Sequence, residues 1–174
     1  MTAAGVGPAR RLSPFGWLGV PAALAVLATL VLAIPLRLFG FYLPQPVFPL
    51  ALAFAWALIR PSVLPPFALL ALGLFLDAFW GGPQGLWPLC LLCAYAATLA
   101  VRRLITGHGF AALWAWYGAA LLMAFLAGAL LTYLAEGAAP NPAAVAWQYG
   151  WTLVLFPFAF RLIDRYEDAD VRFR

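Results

Sequence analysis

Few side chains in this sequence could carry chemistry. Between Met1 and Leu134 the only acidic residue is Asp77, set inside an apolar run. A carboxylate in such surroundings costs several kcal/mol unless it is paired, solvated or protonated, so it marks either a function or a structural lock. Two roles fit it. Its oxygens could accept N–H groups from the glycine-rich turn 81–85, capping the next helix, whose N-terminal dipole favours an anion. Alternatively, it could bind a ligand or a partner's cation. The remaining candidates are Glu136, His108, Cys90 and Cys93. His108 lies in a Thr106-Gly107-His108-Gly109 loop, expected across the bilayer from Asp77, so the two cannot form a base–orienter pair. No serine or cysteine has a histidine within reach, which leaves no nucleophile–base constellation. Cys90 and Cys93 spell C-x-x-C, but within a helix, without the βαβ context of a redox dithiol or the further ligands of a zinc site. They read as small packing residues. No catalytic residue, metal or cofactor is expected.

The composition names the solvent. The chain is 66% hydrophobic and 9% charged, with a mean hydropathy of +0.96, against roughly 45–50% and about a quarter in soluble domains. There is too little polar surface to cover a water-soluble globule. A helix needs ~17–25 apolar residues to cross the hydrocarbon, so 174 residues hold six transmembrane helices with short loops and no soluble domain. All ten basic residues are arginine, and the net charge is +4. They stand singly or in pairs at the ends of apolar runs, where they set orientation; they form no stripe, and nucleic-acid binding is not expected.

The elements that must position Asp77 follow. Residues 1–14 form a cytoplasmic lead, 15–160 a six-helix transmembrane domain, and 161–174 a charged cytoplasmic tail. The first apolar stretch is too long for a signal peptide and reads as a retained anchor. The spans are expected at 15–36, 47–59, 64–79, 86–101, 110–134 and 143–160. Span two is entered through Pro44, Pro46 and Pro49, a short non-helical or interfacial segment, and its helix is short enough to need shielding by neighbours. Span one carries Ala25, Thr29 and Ala33 at intervals of four, which the abundance of alanine would also produce. Span five carries Ala120, Ala124, Gly128 and Thr132. Such small-residue stripes let another helix approach closely, and these are expected to offer intramembrane faces to partners. With both termini inside, the inner segments hold Arg10, Arg11, Arg60, Arg102, Arg103, Arg161, Arg165, Arg172 and Arg174, and the outer segments only Arg37. This count puts Asp77 on the outer side and Arg60-Pro61 on the inner side, where Arg60 reads as a snorkelling anchor.

The run Arg60-Pro61, Gly73-Leu74-Phe75-Leu76-Asp77, then Gly81, Pro83 and Gly85-Leu86, resembles the pattern of the MreD family, small inner-membrane proteins of the bacterial rod-shape system. Length, six spans and cytoplasmic termini agree loosely over the whole chain. Gln84 departs from the small or apolar residue expected there, and the proline-rich entry to span two is a second departure. The resemblance implies a non-enzymatic scaffold in cell elongation and lateral peptidoglycan synthesis. It would bind an MreC-like bitopic protein and, through it, MreB, RodA and a class B penicillin-binding protein. It also implies a fold similar to the S component of energy-coupling-factor vitamin transporters. A small-ligand-binding transport subunit is therefore the alternative; the outer polar residues available to it include Gln45, Gln84, Gln148, Asn141 and Glu136.

Overall fold

The computed structural model describes residues 15–32, 37–38, 41–42, 45–105 and 109–171. Helices dominate. A π-helical turn, Phe15–Gly19, leads into α1 (Val20–Leu32); α2 (Phe48–Ile59), α3 (Leu64–Trp80), α4 (Leu86–Ile105), α5 (Phe110–Glu136), α6 (Pro142–Leu153) and α7 (Phe156–Val171) follow. Between α1 and α2, β1 (Arg37–Leu38) and β2 (Phe41–Tyr42) form a two-residue antiparallel ladder.

The core is built around α2. It is apolar on every face, the pattern of a helix enclosed by protein or lipid, and every residue from Pro49 to Leu58 is buried. Helices α1, α3, α4 and α7 pack around it, with α5 and α6 also in contact. At 12 residues it is about 18 Å long at 1.5 Å per residue, short of the ~30 Å of hydrocarbon. Its burial is by the other helices of the same chain. The Trp56 indole N–H on α2 donates to the Trp17 carbonyl at 3.3 Å, tying the π turn to the core.

The outside of the bundle is apolar. Phe67, Leu70 and Leu74 on α3 and Leu122, Leu126 and Leu130 on α5 are all exposed, a surface that suits hydrocarbon and not water. Among the described residues, three segments are long and apolar enough to cross a membrane: Leu86–Ile105, Phe110–Glu136 and Pro142–Arg165.

The last of these is not the single uniform helix expected at 143–160. It breaks at Val154 and Leu155, because Pro157 has no N–H to give the Leu153 carbonyl. The chain turns there through bonds from Val154 N to Gly150 O (3.2 Å), Leu155 N to Thr152 O (3.1 Å) and Phe158 N to Leu155 O (3.0 Å). Beyond the break, α7 continues past Phe160 to Val171, since no glycine or proline follows to stop it.

The small-residue stripes face inward, which corrects the expectation that they present faces to partners. Ala25 and Thr29 are buried, as are Ala120, Ala124 and Gly128, while Thr132 is half-buried; Ala33 lies outside the described residues. A methyl group on Gly128 would stand 2.8 Å from Cys90 Sγ. The α5 stripe is therefore used by α4 of the same chain.

Candidate functional site

The α3–α4 hairpin is where the residue types singled out from the sequence come together. Helix α3 ends at Gly81, whose φ of +69° is left-handed and whose N–H donates to the Asp77 carbonyl at 3.0 Å. The Asp77 side chain, 7% exposed, turns the other way, toward the start of α4. Its Oδ2 accepts the Gly85 N–H at 2.6 Å and its Oδ1 the Trp87 N–H at 3.0 Å. One residue therefore ends a helix with its main chain and starts the next with its side chain.

The first turn of a helix leaves donors without intrahelical partners, and here each has a destination. Leu86 N donates to Pro83 O at 3.2 Å, Trp87 N to Asp77, and Leu89 N to Gly85 O at 3.1 Å. Pro88 has no N–H to satisfy. A carboxylate at that N-terminus also meets the positive end of the α4 dipole. The site works as an electrostatic clasp.

The glycines serve in two different ways. Gly81 and Gly85 (φ +89°) have open space around them and are required by backbone conformation. Gly73 is required by crowding: a methyl group there would lie 2.5 Å from the Pro88 Cα. Gly73 and Asp77 are four residues apart, so they share one face of α3. The first lets α4 approach and the second holds it. Above them the Trp80 and Trp87 rings meet edge-on at 4.8 Å, and Trp80 Nε1 donates to Gln45 Oε1 at 3.1 Å. Gly81, Gly82 and Gln84 are exposed, and Pro83 is half-buried.

A scan of protein-family models, a search of curated proteins and a search of solved structures each return no match. What the site does must be read from its geometry.

Other candidate residues lie apart from the clasp. Arg60 and Pro61 are exposed at the far end of α3, whose 17 residues span about 25 Å. Glu136 is exposed at the end of α5. Asn141 caps α6, its Oδ1 accepting Ala143 N–H at 3.0 Å. Cys90 is buried, Cys93 is partly so, and both are free thiols. His108 lies outside the described residues.

Three arrangements were not read from the sequence. Arg102 Nη2 donates to the Leu58 carbonyl at 2.9 Å, so α2 is closed at its C-terminus by a cation from α4. Helix phase could have revealed this, because Arg102 continues the buried stripe Leu91, Ala94 and Thr98. Second, the Thr152 hydroxyl accepts Val47 N–H at 3.2 Å and donates to Gln148 O at 2.7 Å, while Tyr117 Oη donates to the Thr152 carbonyl at 2.9 Å. Third, a cavity of about 140 Å³ lies between α4, α5 and α6 over Leu50 of α2, bordered by Trp87, Cys90, Gly128, Val145 and Gln148.

Proposed function

We propose that this chain is a non-enzymatic scaffold of the MreD type, multi-pass in the bacterial inner membrane with both termini cytoplasmic. Its six spans are α1 with its leading π turn, α2, α3, α4, α5, and α6 with α7 taken as one. The observation that carries the reading is the Asp77 clasp. Gly73, Asp77, Gly81 and Gly85, four of the residues of the resemblance, each have a mechanical task in one hairpin, and together they hold an exposed turn in fixed register. A rigid outer rim of this kind suits docking of the periplasmic base of an MreC-like bitopic partner, and through it MreB, RodA and a class B penicillin-binding protein. Asp77 acts by setting the shape of the turn, because both its oxygens are already engaged within the chain.

Affinity purification in mild detergent, with identification of the proteins that accompany the chain, tests this. A bitopic wall-synthesis protein should co-purify with wild type and be reduced with Asp77→Ala. Recovery of an ATPase and a coupling subunit instead would replace the scaffold with a transporter.

The transport reading has one observation in its favour, the cavity beside Gln148. Its volume of about 140 Å³ is below the 300–1,000 Å³ usual for small-molecule sites, and the side-chain amide that lines it already donates within the chain, from Gln148 Nε2 to Gln45 O at 3.4 Å. The scaffold is the better fit.

A further inference from the structure

Helices α6 and α7 are joined at the break but held in the bundle by different means. Helix α7 inserts Phe156, Ala159 and Ile163 into the core, each buried, and Phe156 packs within 5.6 Å of the Tyr117 ring. In α6 only Thr152 is buried. Its outer part is tied on by polar contacts, from Gln148 to Gln45 O and from Tyr149 Oη to Gly118 O at 3.2 Å, and by the half-buried Tyr149 ring, which meets Phe125 edge-on at 6.0 Å. Interhelical hydrogen bonds of this sort are individually weak in a bilayer. Between the two helices stands a break whose main-chain ladder is already interrupted by Pro157, a common site of bending. Beneath α6 lies the cavity, with Val145 and Gln148 as its α6 wall and Cys90 on the opposite side.

We propose that α6 is a hinged gate, swinging about Val154–Leu155 on a fixed α7 and opening the cavity wall formed by α4 and α5. The anchored half has fully buried apolar residues in the core, the moving half has polar ties and half-buried rim contacts, and empty volume already separates the moving half from the wall it covers. This inference does not depend on the scaffold reading, since it concerns the isolated chain.

Cys90 supplies the reporter, because it is 3% exposed and lines the space that the gate would uncover. In a Cys93→Ser chain reconstituted in lipid nanodiscs, the rate of N-ethylmaleimide addition to Cys90 measures opening. Thr152→Val and Gln148→Leu remove ties of α6 and should each raise that rate severalfold. Pro157→Ala restores the missing N–H and should lower it. A reporter in α2, Ala53→Cys in a chain lacking Cys90 and Cys93, separates gating from general loosening and should stay unreactive in the same variants. The gate is overturned if Cys90 reacts at one rate in all of them. It is equally overturned if the α2 reporter accelerates in step with Cys90.

Discussion

Gly73 and Pro88 touch so closely that a single methyl group on Gly73 would lie 2.5 Å from the Pro88 Cα. The obstruction is main chain, which cannot swing aside as a side-chain tip could. Gly73→Ala should therefore push α4 away from α3, cost about 1–3 kcal/mol or more and lengthen the reach asked of Asp77. The check is the midpoint of thermal unfolding in detergent; a midpoint at the wild-type value would mean that the helices separate without penalty.

Asp77→Ala leaves the Gly85 and Trp87 N–H groups without their acceptor. Loss of a capping side chain typically costs about 0.5–2 kcal/mol, and Asn, which keeps one acceptor oxygen, should recover part of it. The order of melting midpoints should be wild type, Asp77→Asn, Asp77→Ala. Gly85→Ala strains a left-handed backbone position without touching the carboxylate, and should fall near Asp77→Asn at about 1 kcal/mol.

Arg102 and Arg103 are adjacent, yet their substitutions should differ. Arg102 is half-buried and closes the C-terminus of α2 on the Leu58 carbonyl, whereas Arg103 is exposed. Arg102→Ala should lower stability by about 1.5–3 kcal/mol, the range for hydrogen bonds to charged groups. Arg103→Ala should stay within about 0.5 kcal/mol, as surface changes do. Equal effects would show that only the count of positive charges matters at this end.

Gly128→Ala should be destabilising on its own, because its new methyl group would meet Cys90 Sγ at 2.8 Å. Cys90→Ala removes the obstructing sulfur. The double substitution should then be more stable than Gly128→Ala alone, with a coupling of about 0.5–3 kcal/mol in a double-mutant cycle. Strictly additive effects would mean that the two helices do not meet there.

Legibility in the sequence followed contrast. Asp77 was readable because one charge stands out in an apolar run, and the glycines after it carry a backbone requirement that no other residue meets as easily. The inward direction of the alanine stripes was not readable: in a bilayer the neighbour and the solvent are both apolar, so periodicity loses the contrast it has in water. For the same reason the full burial of α2 could not be told from lipid exposure. Arg102 was hidden by charge counting, which treats it and Arg103 alike, although helix phase distinguishes them. The break in the last span was signalled by Pro157, but the apolar run continues through it and conceals the turn. His108 and Ala33 lie outside the described residues, and nothing in the fold bears on them.

The enclosure of α2 also has a consequence for biosynthesis. This helix leaves the ribosome early, whereas α4 and α7, which cover much of its surface, are translated later. Until then a helix that is apolar on every face has emerged without the neighbours that enclose it. A chain cut before Phe156 lacks α7 entirely, so it should be degraded as an unfinished product rather than accumulate as a smaller, partly working bundle.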